Sequence, residues 1–176
     1  MEARTQHQRQ GSPDNWYAFS LMIDVKEKWE TAYPVLKRTI EQYGPVFNRK
    51  KRKDAVQIVM SGNRPDPSTF HQYPGWIYFD GLPHVGYTKK ALKKISMISD
   101  NFASYSKWKG AGVLPAADRQ QLLQVIEQAH ALKKPIRFWG APDTPTCWQT
   151  LVDLGVDIIN TDKVKESRLY FETYKK

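Results

Sequence analysis

The strongest constraint on the fold is the alternation of short apolar runs with helix-like segments. The run AFSLMIDVK, residues 18–26, is almost continuously apolar, as expected for a strand buried on both faces. A helical spacing of apolar residues follows over residues 28–44, where Gly44 can end the helix. Because a helix that connects two strands of one sheet places them in parallel, this order predicts an α/β fold with a parallel sheet.

Further segments continue this alternation to the end of the chain. The clearest helix, residues 115–134, begins with Pro115, a residue suited to a first helical turn, and its predicted apolar stripe is Leu122, Val125, Ile126, Ala129 and Leu132. A later helix, residues 144–155, has Thr144 as its expected N-cap and Gly155 as its end. The remaining predicted strands occupy residues 55–62, 76–81, 94–102, 135–142 and 156–163, and a final helix follows.

Length and composition are typical of a globular protein with one domain. Of the 176 residues, 40% are apolar and 26% are charged, and no apolar run approaches the roughly 20 residues that a membrane-spanning helix requires. Residues 1–15 are polar and lack the apolar core of a secretory signal. We interpret them as a disordered leader and expect a cytoplasmic location by default. The single cysteine, Cys147, excludes an internal disulfide and a zinc site built on several cysteines.

The charge of the chain favours anionic partners. Its net charge is +9 and its isoelectric point is about 9.6, which suits phosphate esters, nucleic acids or acidic lipid headgroups. The stretch NRKKRK, residues 48–53, holds five consecutive basic residues, and more lysines lie in residues 89–94. Because no RNA-recognition, helix-turn-helix or zinc-finger motif accompanies them, we interpret residues 48–53 as a solvated connection and expect no nucleic-acid partner.

Polar side chains follow every predicted strand. In a parallel barrel or an open parallel sheet, the carboxyl ends of the strands form the active face, so these side chains are the candidate site. They are Asp24, Lys26, Ser61, Asn63, Arg64, Asp80, Ser99, Asp100, Asn101, Trp139, Asp143, Asn160, Thr161 and Asp162.

The first strand presents an acid and a base two residues apart. The Asp24 carboxylate is a hard ligand that suits a divalent cation. Lys26 and Arg64 suit a phosphate, because lysine provides a point charge and arginine is a bidentate hydrogen-bond donor. A plain ion pair between Asp24 and Lys26 is an equally good interpretation. No histidine directly follows a predicted strand, so the sequence indicates no general acid or base.

Two motifs in the second half of the chain resemble a known family. RFWGAPDTP, residues 137–145, and GVDIINTD, residues 155–162, are similar to the C-terminal portion of the phospholipase C-like phosphodiesterases. The similarity is greatest to the branch that includes glycerophosphodiester phosphodiesterase relatives and altered-inheritance-of-mitochondria type proteins. Upstream, LMIDVK (21–26), VMSGNRP (59–65) and IYFDG (77–81) agree with successive strands of that family.

This resemblance implies a (β/α)8 barrel of the TIM type that hydrolyses phosphodiesters of glycerol or lipid headgroups, in a family whose members are often exported. It implies metal-assisted or histidine-driven chemistry, with Mg²⁺ or Ca²⁺ as the cation. By position, Asp24 matches a metal ligand, Lys26 matches a lysine near the phosphate, and Trp139 matches a wall of the pocket. Asn63, Arg64 and Asp162 match further strand-end positions of the family.

The chain also departs from this family. The family's first three strands carry a histidine-rich motif and an acid-x-acid pair, and neither motif stands before Trp16. A typical barrel has roughly 250 residues. We therefore expect residues 16–176 to form an incomplete barrel that lacks its first strands, and its exposed sheet edges to favour homo-oligomers.

Three functions follow from these observations. The first is that of a phosphoric diester hydrolase family member with impaired activity as a lone, truncated chain. The second is a non-catalytic remnant that self-associates or binds anionic ligands. The third is a basic nucleic-acid-binding protein that uses residues 49–53 and 89–94.

Overall fold

The computed structural model describes residues 19–174, so the predicted leader, residues 1–15, lies outside the described residues. The chain forms two compact units. Within the described part, the first unit comprises residues 19–80 and 86–96, and the second comprises residues 81–85 and 97–174. No helix among the described residues is both long and apolar enough to cross a membrane.

Strands and helices alternate in both units. The strands are β1 (Ser20–Val25), β2 (Gln57–Gly62), β3 (Ile77–Gly81), β4 (Ile95–Asn101), β5 (Ile136–Trp139) and β6 (Ile158–Ile159). The helices are α1 (Trp29–Glu41), α2 (Lys89–Leu92), α3 (Ala116–Ala131), α4 (Pro145–Asp153) and α5 (Val164–Tyr174). Three short 3-10 helices lie in the connections, at Gly44–Phe47, Pro67–Gln72 and Phe102–Ser104.

In the first unit, β1, β2 and β3 are neighbours in chain order, and both pairs are parallel. Side chains alternate between the faces of a strand, so Ile58 and Met60 of β2 share a face with Ile77 and Phe79 of β3. All four are fully buried. Burial of each such side chain contributes about 1.5–3 kcal/mol, so this face anchors the sheet of the unit.

An aromatic cluster covers that face. The Phe79 ring stacks on Phe70 at a centroid distance of 3.8 Å and contacts Trp29, the first residue of α1. The indole nitrogen of Trp29 donates a hydrogen bond to the Tyr73 hydroxyl at 2.8 Å, so the polar edge of the buried ring is satisfied. These contacts fix the start of α1 against β3. The β1–α1 loop is thereby held beside the carboxyl end of the sheet.

In the second unit, β4, β5 and β6 are also neighbours in chain order and parallel. Helix α3 contributes a buried stripe, Leu122, Val125, Ile126 and Ala129, at the spacing that the sequence predicts. Helix α4 begins with Thr144 as its N-cap, whose hydroxyl accepts from the Cys147 amide at 3.2 Å, and with Pro145 in its first turn. Its buried residues are Cys147, Trp148 and Leu151.

The predicted α/β fold with parallel strands is confirmed, whereas a closed eight-stranded barrel is not shown. The described residues contain six strands, two fewer than such a barrel requires. The last two strands are shorter than predicted. β5 ends at Trp139 because Gly140 adopts a left-handed φ of 69°, and β6 has only two residues.

Candidate functional site

Three polar residues form one row across the carboxyl ends of β1, β2 and β3. Asp24 is the register partner of Ser61. Asp80 lies one position beyond the pair formed by Met60 and Phe79, which makes it the neighbour of Ser61 on the other side. Because register partners project from the same face of a parallel sheet, all three side chains project from the face opposite to Phe79.

The centre of this row is a hydrogen bond. The Ser61 hydroxyl donates to Asp80 Oδ2 at 2.9 Å. Asp80 is only 3% exposed, whereas the Asp24 side chain is 53% exposed. The row therefore has a buried, fixed carboxylate at one end and an accessible carboxylate at the other, two strand spacings or about 9.6 Å away.

Asp24 and Lys26 form the ion pair that the sequence allowed. Lys26 Nζ lies 2.6 Å from Asp24 Oδ2, and the Lys26 side chain is 81% exposed. An exposed pair of this kind contributes at most about 1 kcal/mol to stability, because water already solvates both charges. The pair is consequently weak enough for an incoming anion or cation to separate, and ligand binding by these residues is compatible with it.

Asn63 and Arg64 organise the backbone beside the pair. The Asn63 side-chain amide donates to the carbonyls of Lys26 at 2.8 Å and Glu27 at 3.1 Å. The Arg64 Nε donates to the Gly62 carbonyl at 3.2 Å. Asn63 therefore fixes the loop that carries Lys26, and both residues lie where the sequence placed them, directly after β2.

The second unit has its own polar chain after β4. Tyr105 donates its hydroxyl hydrogen to Asp100 Oδ2 at 2.6 Å, and the same hydroxyl lies 3.1 Å from His84 Nε2. Since the hydroxyl has one hydrogen, His84 donates to it. Burial, together with the hydrogen bond and the charge of Asp100, raises the pKa of Tyr105 well above its usual range. Asp100 shares its face with its register partner Phe138.

Of these three residues, only Asp100 is predicted from the sequence. His84 stands three residues after Gly81, the end of β3, and so does not directly follow the strand. The short spacing from β3 was the available signal. Tyr105 has no such signal, because only the fold of the loop after β4 brings it to Asp100.

Asp143 joins the two motifs that carry the family resemblance. It accepts hydrogen bonds from the Thr161 hydroxyl, from the Asp162 amide at 2.9 Å and from the Trp148 indole at 3.2 Å. Burial acts to raise the pKa of Asp143, but these hydrogen bonds and the charge of Lys163 outweigh it and hold the pKa below its usual range. Asp143 therefore stays ionised and ties the start of α4 to the residues that follow β6.

The structure brings some predicted residues together and leaves others apart. Asp24, Lys26 and Asn63 are in contact in the first unit, and Ser61 connects the row to Asp80. Eight other predicted residues belong to the second unit: Ser99, Asp100, Asn101, Trp139, Asp143, Asn160, Thr161 and Asp162. Trp139 is 45% exposed at the end of β5, and Asp162 is exposed at its side chain while its amide bonds Asp143.

The donor set of the first unit suits a weakly held hard cation. Among residues 19–174 there is no group of three or more His, Cys, Asp or Glu side chains that would hold a metal by themselves. Mg²⁺ commonly keeps several waters and uses one or two carboxylates together with substrate phosphate. The exposed Asp24 carboxylate fits that role, and metal binding by Asp24 stays a prediction.

Comparisons with known proteins agree with the resemblance. The sequence model described as the Glycerophosphoryl diester phosphodiesterase family matches residues 135–165, the segment that contains Asp143 and Thr161. The chain is 22% identical over 191 residues to Altered inheritance of mitochondria protein 6 of Lachancea thermotolerans, an alignment that covers 88% of this chain. It covers 41% of that relative's length. No solved structure gives a significant match. The predicted resemblance is thereby confirmed.

Proposed function

We propose that this chain has a phosphodiesterase-type function and binds a phosphodiester at the carboxyl ends of β1 and β2. The observation that carries the proposal is the row of Asp24, Ser61 and Asp80 beside the exposed ammonium of Lys26. The family similarity over residues 135–165 supports the same chemistry.

Four side chains of the first unit have roles in this proposal. Lys26 approaches the non-bridging phosphate oxygens as a point charge, and Arg64 adds a planar fork of donors. Asp24 exchanges its ion pair with Lys26 for a divalent cation, Mg²⁺ or Ca²⁺. When bound, that cation would neutralise charge on the phosphate. Asn63 acts through the backbone, because it holds the carbonyls of Lys26 and Glu27.

The substrate class is a glycerophosphodiester or a phospholipid headgroup. The net charge of +9 favours a phosphate ester, and the open exposure of Asp24 and Lys26 admits a polar, flexible molecule. Within the second unit, taken by itself, the exposed Trp139 ring is proposed as a contact for an organic ligand. Asp100 and Asp162 are proposed as supporting residues, since both take part in hydrogen bonds after β4 and β6.

We expect hydrolysis by the chain to be slow. Among the described strand-end residues of the first unit, none is a histidine, so the proposed site has no side chain that titrates near neutral pH. General acid–base catalysis typically contributes about 10²–10⁴-fold in rate. We therefore expect the hydrolysis rate to be about 10²–10⁴-fold lower than at a site with a positioned histidine.

The test is the release of choline from glycerophosphocholine by the whole chain, with Mg²⁺, with Ca²⁺ and with chelator. The proposal expects slow cation-dependent turnover that falls at least about tenfold in Asp24→Asn and Lys26→Ala. Lys109→Ala and Asp153→Asn are matched controls, because both residues are exposed and lie outside the proposed site. Turnover unaffected by Asp24→Asn and Lys26→Ala would contradict the proposal.

Self-association is a second candidate function, favoured by the edge strand β1. Leu21 and Phe19 are large apolar residues that are exposed at this strand. Among the described residues β1 has one neighbour, so its other edge can pair with a second chain. Light scattering after size exclusion tests this. Dimers that dissociate in Leu21→Lys would support it, and a monomer at all concentrations would refute it.

A further inference from the structure

Two basic segments that are far apart in the sequence meet at one loop of the first unit. Lys94 Nζ donates to the Pro74 carbonyl at 2.6 Å and to the Tyr73 carbonyl at 3.3 Å. Lys50 Nζ lies next to Gly75, 3.2 Å from the position that a Cβ there would occupy. The loop between the Pro67–Gln72 helix and β3 therefore brings Lys50 and Lys94 together. The two segments that carry them, residues 41–54 and 89–94, are here called the basic surface.

The basic surface is dense in unneutralised charge. Residues 41–54 and 89–94 contain nine Lys and Arg side chains but only two carboxylates, Glu41 and Asp54. Asp54 is paired with Arg52. Six of the lysines are exposed: Lys50, Lys51, Lys53, Lys89, Lys90 and Lys93. Partial burial and, after it, the nearby charge of Lys50 lower the pKa of Lys94 to about 8.

Apolar side chains lie within the same surface. Tyr43 is 60% exposed and Val46 is 37% exposed, on either side of the turn that ends α1. The next residue, Phe47, lines a shallow cavity of about 190 Å³ together with Lys51 and Trp76. Exposed aromatic and aliphatic groups beside lysines are the composition of segments that lie at a membrane interface.

We propose that the basic surface docks on an anionic phospholipid bilayer, with the lysines against the headgroups and Tyr43 and Val46 in the interfacial layer. Charge complementarity favours this occupant, because clusters of four to eight basic residues bind acidic leaflets. Duplex nucleic acid is the weaker fit. The helices of this surface, Gly44–Phe47 and α2, have four residues each, too short to fill a major groove.

The docked orientation has a consequence within the first unit. The basic surface lies in the connections before β2, β3 and β4, whereas Asp24 and Ser61 lie at the carboxyl ends of β1 and β2. Strands of about six residues separate the two ends by roughly 20 Å. Docking therefore leaves the strand-end row facing away from the bilayer, so a docked chain would reach soluble glycerophosphodiesters and not the headgroups of that bilayer. The proposal does not rest on the function proposed above.

The test is co-sedimentation of the whole chain with vesicles. Vesicles of phosphatidylcholine with about 30% phosphatidylserine should bind it, pure phosphatidylcholine vesicles should not, and about 0.5 M salt should release it. Replacing Lys51, Lys53 and Lys93 by Ala should weaken binding about a hundredfold, since each lysine near the surface contributes roughly tenfold or less. At intermediate salt, where the charges of the lysines are partly screened, Tyr43→Ser should weaken the remaining binding to the acidic vesicles.

The matched control replaces three exposed lysines of the second unit, Lys109, Lys133 and Lys165, by Ala, and this variant should bind the vesicles as the unchanged chain does. Circular dichroism confirms that each variant is folded. Equal loss of binding in the control would show a net-charge effect and overturn the proposal. So would absence of binding to the acidic vesicles, or tighter binding to duplex DNA than to those vesicles at the same salt.

Discussion

Gly62 packs so closely against Asp24 that a Cβ at Gly62 would overlap Oδ1 of the Asp24 carboxylate. The same Cβ would overlap the carbonyl oxygen of Val25. Gly62 ends β2 with a φ of 71°, in the left-handed region that side chains disfavour. The residue type at position 62 thus determines where the candidate metal ligand lies, although Gly62 carries no chemistry of its own.

Replacing Gly62 by Ala should therefore destabilise the chain by more than the cost of placing an alanine at a left-handed φ. Gly112 is a matched control, because its φ of 67° is similar and a Cβ there would meet open space. The free energy of unfolding, measured in urea, should fall by about 1 kcal/mol in Gly112→Ala and by at least about 3 kcal/mol in Gly62→Ala. Equal losses in the two variants would show that the overlap with Asp24 and with the Val25 backbone adds no cost.

Replacing Asp143 by Ala should cost about 2–4 kcal/mol in the free energy of unfolding. The substitution leaves the Asp162 amide, the Trp148 indole and the Thr161 hydroxyl without their shared acceptor. Asp153→Ala is the control, since Asp153 is exposed and accepts from Gln149 on the same helix. The free energy of unfolding of that variant should lie within about 0.5 kcal/mol of the value for the unchanged chain. If both variants unfold at the same urea concentration, Asp143 does not join the two motifs.

The Cys147 thiol should be inert in the folded chain. It is fully buried, and burial followed by the charge of Asp143 raises its pKa to about 12. Because the thiolate is the reactive form, a chromogenic disulfide reagent at pH 8 should label the folded chain at least about a hundredfold more slowly than the chain unfolded in guanidinium chloride. Equal rates would place Cys147 at the surface.

Lys94 should make stability rise with pH in the alkaline range. Its folded pKa is about 8, below the unfolded value of 10.5, so between these values the unfolded chain binds more protons and the free energy of unfolding increases with pH. The increase should be absent in Lys94→Met and retained in Lys93→Met, a neighbouring exposed lysine. A pH profile that Lys94→Met leaves unchanged would contradict the lowered pKa.

Most helices and strands are predictable from the sequence because their signals are local. The buried stripe of α3, the Thr144 cap and the apolar runs of β1 and β2 each depend on residues close in the chain, and the structure has them where they were predicted. β5 and β6 were predicted too long, because apolar residues extend beyond the hydrogen-bonded pairs and Gly140 turns the chain early.

The site was predictable in part. Asp24, Lys26 and Asn63 follow strands directly, and their proximity follows from parallel pairing. The partnership of His84, Tyr105 and Asp100 depends on how two loops fold, and the short spacing of His84 from β3 does not reveal its partners. The meeting of Lys50 and Lys94 at one loop is likewise a property of the fold, although both basic segments were visible in the sequence.

The most direct test of the proposed phosphodiester site is a calorimetric titration of glycerophosphocholine, in the presence of Mg²⁺, into the whole chain, into Lys26→Ala and into the control Lys109→Ala. We expect binding by the unchanged chain and by the control, and an affinity at least about tenfold weaker for Lys26→Ala, since removal of one charged partner costs about 1.5–3 kcal/mol. Equal affinity of Lys26→Ala and the control, or no binding by the unchanged chain, would contradict it.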